Sequence, residues 1–122
     1  MLTLRQQIGQ TAEDIAVDFL RAQGLEILQR NYRRRRGELD VIAREGDVLA
    51  IVEVRTRSSR KYGGAAVSVD GRKQRRIVQA ATQLLQQHKA LARMRVRFDV
   101  IVVSDMGGQR PSIEWIRHAF GA

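Results

Sequence analysis

The sequence lacks the residues that build several common kinds of functional site. It has no Cys, one Pro and two His among 122 residues. Without Cys there is no disulfide, no thiolate zinc site and no Cys nucleophile, and two isolated His residues argue against a His-rich metal site. Any metal site in this chain would therefore have to depend on carboxylates.

Long apolar segments are also missing. The longest uninterrupted apolar run has five residues, 48–52, whereas a helix that spans a bilayer needs about 20. The N-terminal stretch MLTLRQQIGQ contains no signal-peptide hydrophobic region. The length suits one domain over residues 1–122. These features predict a single-domain cytoplasmic protein with no membrane partner.

Basic residues are abundant and unevenly placed. Lys and Arg number 22 against 13 Asp and Glu, which gives a net charge of +9. Window 38–53 has a net charge of −4, which leaves +13 on the rest of the chain. Three basic clusters lie outside this window, at 30–36, 72–76 and 93–97. Arg binds phosphate in planar, bidentate geometry. Any single cluster is better interpreted as a solvated face, but the three clusters together predict a polyanion partner.

Hydrophobic spacing predicts a three-layer α/β domain with a mixed β-sheet flanked by helices, in the order αβββαββ. Three- and four-residue spacing of apolar residues predicts a helix over 3–23, with Glu13 at the margin of its buried face. A second helix is predicted over 70–89, with Asp70 as N-cap and His88 on the buried stripe. Alternating and apolar segments predict strands at 25–33, 38–45, 48–57, 95–104 and 112–118.

The second and third strands form a predicted hairpin that carries the acidic window. Gly46-Asp47 is typical of a two-residue hairpin loop, and this loop places Asp40 directly opposite Glu53. Alternation puts Leu39 and Val41 on one face and Glu38, Asp40 and Ile42 on the other.

Opposed carboxylates on a hairpin have Cβ atoms about 4.5–5.5 Å apart and repel each other. Mg²⁺, which prefers oxygen ligands, would relieve this repulsion if Asp40, Glu53 and Glu13 held it. Spacing alone leaves two other interpretations open. Both carboxylates could pair with Arg44, Arg55 or Arg57 in a surface ion-pair network, or a register shift of one residue could separate them.

Several different short motifs are distributed over nearly the whole chain. The central ones are Gly37-Glu38-Leu39-Asp40 and Val52-Glu53-Val54-Arg55. The others are Gly9 with Ala12-Glu13, Arg30-Asn31-Tyr32-Arg33, Tyr62-Gly63, Lys73, Arg97-Phe98-Asp99-Val100 and Ala119-Phe120. In order and spacing they resemble the YraN-like family of small bacterial proteins. That family has the restriction-endonuclease-like PD-(D/E)XK fold and is similar to archaeal Holliday-junction resolvases.

The resemblance implies a set of site residues. In that nuclease fold a strand-borne Asp and Glu bind Mg²⁺ or Mn²⁺, which assigns the metal to Asp40 and Glu53, with Glu13 as the accessory carboxylate. Arg55 stands where the nuclease motif has Lys, and an Arg side chain stays protonated and cannot act as a base. Arg55 is still expected to stabilise developing charge, and Lys73 or Arg57 is a hypothetical substitute for the missing Lys.

These features predict a divalent-metal-dependent nuclease that acts on DNA phosphodiesters and selects structure rather than sequence. DNA is favoured over RNA, and a homodimer is suggested, because of the similarity to junction resolvases. The alternatives are a non-catalytic nucleic-acid-binding module and an accessory protein that docks an acidic partner. The residues expected to contact nucleic acid are Arg30, Tyr32, Arg33, Arg34, Arg35, Arg36, Arg57, Lys73 and Arg76. For Tyr32, stacking on a base and packing in the core are both open.

Overall fold

The predicted order of elements is confirmed in the structure, a computed structural model that describes residues 1–57, 69–107 and 110–121. The elements are α1 (Leu4–Ala22), β1 (Glu26–Arg34), β2 (Gly37–Glu45), β3 (Val48–Arg57), α2 (Gly71–Gln87), β4 (Arg95–Ser104) and β5 (Ser112–Phe120), with a short 3-10 helix at Leu91–Arg93. The Tyr62-Gly63 motif lies outside the described residues.

The five strands form one mixed sheet in the order β1-β2-β3-β4-β5. β3 and β4 are parallel, whereas the other neighbouring pairs are antiparallel. A parallel pair needs a crossover connection, and α2 lies between these two strands in sequence. In the described part of the chain, neither helix is long and apolar enough to cross a membrane.

Each face of the sheet is covered by one helix, which gives the predicted three layers. Ala12, Ala16 and Leu20 of α1 pack on one face, and Ile77 and Leu84 of α2 pack on the other. β3 and β4 contribute buried residues to both clusters. Burial on both faces explains why these strands are almost continuously apolar.

Both long helices begin at side-chain caps. Thr3 and Gln6 form a reciprocal capping box at α1. The Asp70 carboxylate accepts a hydrogen bond from the backbone N–H of Lys73 at 2.8 Å. The predicted burial of His88 is wrong: α2 ends at Gln87, and His88 is its exposed C-cap.

The predicted hairpin register is confirmed near the turn, but the face prediction for β2 fails before Val41. Residues 41–45 pair with 48–52 in the expected register. Leu39, however, joins Ile42 in the cluster under α2, while Val41 packs toward α1. The alternation breaks at Asp40, between Leu39 and Val41, where the β2–β3 ladder ends. On the neighbouring strand, Asn31 has a φ of 53°, in the left-handed region that extended strands avoid.

Candidate active site

Asp40 and Glu53 lie together where β2 and β3 stop pairing. The regular ladder runs from Glu45↔Val48 to Val41↔Val52. Just beyond it, the backbone N–H of Val54 donates a hydrogen bond to Asp40 Oδ2 at 2.9 Å. The Asp40 side chain therefore stands where a backbone carbonyl would continue the ladder, and its carboxyl group lies within hydrogen-bonding reach of Glu53.

Burial perturbs both carboxyl groups, and the charge of Asp40 adds to the effect on Glu53. Glu53 is 6% exposed. This burial, with the negative charge of Asp40 as the second cause, raises the pKa of Glu53 to about 8. Burial also raises the pKa of Asp40, although the hydrogen bond from Val54 opposes the rise. Ionising both carboxyl groups in one buried site is unfavourable in free energy. The fold therefore holds an acidic pair whose doubly ionised form is destabilised.

Lys73 brings a cation to this pair from the first turn of α2. Its Nζ lies 3.3 Å from Glu53 Oε1. Close packing of α2 on β2 makes the contact possible, because a Cβ at Gly37 would overlap the carbonyl oxygen of Arg76. Gly at position 37 therefore permits the approach that places Lys73 beside Glu53.

Glu13 approaches the pair from α1 but is already engaged. Its Oε1 accepts hydrogen bonds from Arg30 Nε at 2.8 Å and from Asn31 Nδ2 at 3.0 Å. Hydrogen bonds to Asp14 and, secondarily, to Glu13 raise the pKa of Arg30. Glu13 and Asp40 line one cavity, so the structure brings all three predicted carboxylates into one neighbourhood.

The donor chemistry of Asp40 and Glu53 fits Mg²⁺ or Mn²⁺. Within residues 1–57, 69–107 and 110–121, no group of three or more His, Cys, Asp or Glu is arranged for a metal. Mg²⁺ nevertheless binds through one or two carboxylates and keeps several waters. A divalent cation would also offset the burial that raises the pKa of both carboxyl groups and the negative charge of Asp40 that adds to the rise at Glu53. The residues present therefore fit a metal held chiefly by Asp40 and Glu53.

Arg55 and Arg57 are placed away from these carboxylates. Arg55 forms no ion pair or hydrogen bond with Asp40 or Glu53, all three being among the described residues. The hydrogen bond from the Lys73 N–H is the main reason that the pKa of Asp70 is lowered, and the charge of Arg55 adds to this effect. Arg57 lines a separate cavity with Met106. Of the two hypothetical substitutes for the motif Lys, Lys73 is the one that contacts Glu53.

A basic cavity of about 610 Å³ opens between the β1–β2 turn and α2. Six of its nine lining residues are basic, namely Arg33, Arg34, Arg35, Arg36, Lys73 and Arg76. Lys73 belongs both to this cavity and to the ion pair with Glu53. Cationic side chains therefore lead from the surface to the carboxylate pair.

Three residues expected at the nucleic-acid interface lie elsewhere: Arg57, in the separate cavity described above, and two others. Tyr32 is 1% exposed, and its hydroxyl donates to Gln87 Oε1 at 3.0 Å. Stacking of Tyr32 on a base is therefore wrong, because the ring faces the core under α2 with Leu39. Arg30 bridges Glu13 and Asp14 on the side of α1 and does not line the basic cavity.

A second cavity, missed by sequence reasoning, is lined by Asp40 and adjoins the basic cavity. This amide cavity has a volume of about 330 Å³, and Gln6, Gln10 and Asn31 contribute carboxamides to its lining. Gln6 and Gln10 are four residues apart and therefore share a helix face. That spacing was the available signal, but only the position of β1 shows that this face is opposite Asn31.

A second buried carboxylate, Asp99, is fully paired. Arg97 donates to it through Nε at 2.8 Å and Nη2 at 2.9 Å. Trp115 Nε1 and the backbone N–H of His118 each donate at 3.0 Å. With four donors and no exposure, Asp99 is a structural centre that links β4 to β5.

The fold and this site define a small three-layer α/β protein with a buried carboxylate pair beside a basic cavity. The profile of the family described as "Uncharacterised protein family UPF0102" matches residues 12–103. A UPF0102 protein of Alkalilimnicola ehrlichii is 45% identical over 116 residues, covering 95% of this chain and 88% of the relative. One from Pseudomonas aeruginosa is 44% identical over 115 residues, covering 93% of this chain and 92% of the relative. The chain belongs to the UPF0102, or YraN-like, family.

Proposed function

We propose that this protein is a divalent-metal-dependent nuclease that cleaves DNA phosphodiesters and selects structure rather than sequence. The contact between Lys73 and Glu53, at 3.3 Å, carries the proposal. With this contact, Asp40, Glu53 and Lys73 lie in one place. Arg55 occupies the position where the nuclease motif has Lys. The YraN-like resemblance supports the same set of residues.

Asp40 and Glu53 would hold Mg²⁺ or Mn²⁺. A metal bound there supplies a water of lowered pKa and a charge that polarises the phosphodiester. Asp40 is kept in place by the hydrogen bond from Val54. Glu53 is kept in place by its strand and by Lys73. Glu13 is held by Arg30 and Asn31 and would act as the accessory carboxylate in the cavity that it shares with Asp40.

Lys73 takes the role that Lys has in the nuclease motif. Its ammonium group can orient an attacking water beside Glu53 and meet the negative charge that develops on the phosphate. An Arg at position 55 would offer only a fixed positive charge. In this proposal Lys73 is the catalytic cation, and Arg55 contributes long-range charge near the first turn of α2.

The basic cavity would hold the phosphate backbone. Its Arg side chains form bidentate contacts with phosphate oxygens readily, and such contacts carry no sequence information. The protein would therefore recognise the shape of the nucleic acid rather than its sequence. DNA is favoured over RNA because of the similarity to resolvases.

A non-catalytic nucleic-acid-binding module is the second candidate. The internal ion pairs favour it: Lys73 already neutralises Glu53, and Arg30 neutralises Glu13. In that case the basic cavity binds nucleic acid without cleavage. Docking of an acidic protein partner in the same cavity is a third outcome that the test below separates.

One assay series tests the function. Purified protein is incubated with labelled single-stranded, duplex, flap and four-way-junction DNA and with matched RNA, each with Mg²⁺, Mn²⁺ or chelator. We expect metal-dependent cleavage of branched DNA that is lost in the Asp40→Ala/Glu53→Ala variant. Binding without cleavage under every metal supports the second candidate, and absence of nucleic-acid binding leaves the acidic partner. Light scattering of the junction complex tests the proposed homodimer.

A further inference from the structure

The amide cavity and the basic cavity share two lining residues but differ in chemistry. Asp40 lies in the wall of the amide cavity, and Lys73, the partner of Glu53, lies in the wall of the basic cavity. Arg33 and Glu38 line both. The amide cavity, at about 330 Å³, is at the lower end of the sizes in which proteins hold small organic molecules.

The lining of the amide cavity suits a neutral polar ligand. Arg33 is its one basic lining residue, against the carboxylates of Glu13, Glu38 and Asp40. A phosphate would be repelled by such a wall, whereas the basic cavity attracts it. Carboxamides offer both N–H donors and a carbonyl acceptor, which is the mixture that the hydrogen-bonding edge of a nucleobase requires.

The carboxamides keep groups free for such a ligand. Gln6 uses Oε1 to accept from the Thr3 N–H at 2.9 Å, and Asn31 uses Nδ2 to donate to Glu13. Nε2 of Gln6 and Oδ1 of Asn31 form no hydrogen bond with any residue that the structure describes. Asn31 is held in this orientation at a φ of 53°, and backbone strain of this kind is concentrated at functional sites.

We propose that the amide cavity receives one unpaired nucleobase next to the scissile phosphate. The substrate class is then DNA that has an unpaired nucleotide at the cleavage position, such as a flap or a branch point. This inference rests on the proposed nuclease function. A base within a duplex is stacked and paired, and it would enter the cavity only at the cost of extrusion from the helix.

The first test measures base insertion without cleavage. A flap DNA carries 2-aminopurine at each of the unpaired positions in turn, and its fluorescence is recorded with the protein and chelator. We expect a change at one position next to the branch, and a smaller change when the same base is fully paired. Equal responses at all positions, or none at any, overturn the inference.

The second test uses a matched pair of variants. Gln10→Ala removes an exposed carboxamide from the amide cavity, and Gln86→Ala makes the same change on the exposed surface of α2. We expect Gln10→Ala to weaken flap binding and cleavage about fivefold, the effect of one lost hydrogen bond. Duplex binding by the Gln10→Ala variant should not change. The Gln86→Ala variant should bind and cleave flap DNA as the native chain does.

The two proposals fail in distinguishable ways. If flap and duplex are cleaved equally and an abasic nucleotide at the cut position has no effect, the inference on the unpaired base is wrong and the nuclease proposal stands. If no substrate is cleaved but the 2-aminopurine signal responds to Gln10→Ala, the cavity binds a base and the nuclease chemistry is wrong.

Discussion

Two buried carboxylate centres in this protein are treated in opposite ways by the fold. Asp99 accepts four hydrogen bonds, two of them from Arg97, and is fully enclosed. Asp40 and Glu53 face each other with one nearby cation, Lys73, whose ammonium is 3.3 Å from Glu53. A saturated carboxylate, meaning one with all its hydrogen-bond donors in place, is satisfied in the native state. An undersupplied pair, meaning one with too little positive charge beside it, destabilises the native state until a ligand supplies that charge. The difference indicates which centre is available for chemistry.

The largest expected effect comes from breaking the saturated centre. Asp99→Asn removes one of the two carboxylates that pair with Arg97, whose side chain is 16% exposed, and leaves Glu45 at 3.0 Å. We expect the free energy of unfolding to fall by about 3 kcal/mol, the lower end of the range for broken buried ion pairs, because Glu45 still compensates Arg97. Asp47→Asn is the matched control, because its ion pair with Arg95 is 79% and 78% exposed; it should cost less than about 1 kcal/mol. Equal losses in urea denaturation would remove the distinction.

The next largest effect is on cleavage at the undersupplied pair. Lys73→Met should reduce the cleavage rate about 100-fold, the loss typical of removing one group that stabilises developing charge. Lys89→Met, at an exposed Lys beyond α2, is the control and should be unaffected. If Arg55→Ala abolishes cleavage while Lys73→Met leaves it unchanged, the assignment of the catalytic cation to Lys73 is wrong.

The approach of α2 to the pair can be disturbed through Gly37. Gly37→Ala places a Cβ against the Arg76 carbonyl oxygen, and overpacking of this kind costs about 1–3 kcal/mol. The shift should also separate Lys73 from Glu53 and lower the cleavage rate. Gly9→Ala is a useful comparison, since nothing lies within 4 Å of its added Cβ. That variant should be slightly more stable, because Ala favours helix.

The smallest expected effect is a pH-dependent gain in stability. The pKa of Glu53 is about 8 in the fold against 4.5 for an unperturbed Glu. The favourable contribution of the protonated Glu53 to folding is therefore fully present below about pH 4.5 and is lost as pH rises through 8. In chelator, Glu53→Gln should be more stable than the native chain at pH 8 by about 1.4 kcal/mol or more, the equivalent of one pKa unit. The two should converge toward pH 4.5.

Metal addition gives the matching control for this prediction. A metal that binds the folded state stabilises it, so Mg²⁺ or Mn²⁺ at pH 8 should raise the denaturation midpoint of the native chain. The Glu53→Gln variant should respond much less. A stability difference between the two proteins that is independent of both pH and metal would contradict the acidic pair as described.

Local sequence patterns were sufficient for most of the fold. Apolar spacing located both helices and the Asp70 cap marked the start of the second, and Gly46-Asp47 indicated the register of the β2–β3 hairpin. These signals are local, since each depends on residues a few positions apart. The prediction for Leu39 assumes unbroken alternation, but β2 departs from it at Asp40, whose side chain accepts a hydrogen bond from the Val54 N–H on β3. Such a contact between strands is not visible in the pattern of β2 alone.

The sequence by itself determined the order of elements, the register of the β2–β3 hairpin near its turn, and the excess of Arg outside the acidic window. The tertiary structure decided that Lys73 reaches Glu53 from α2, that Tyr32 is buried, and that the carboxamides of α1 face Asn31. Those facts depend on how the helices pack on the two faces of the sheet. Packing joins residues far apart in the chain, and periodicity within a segment carries no information about which segment lies opposite.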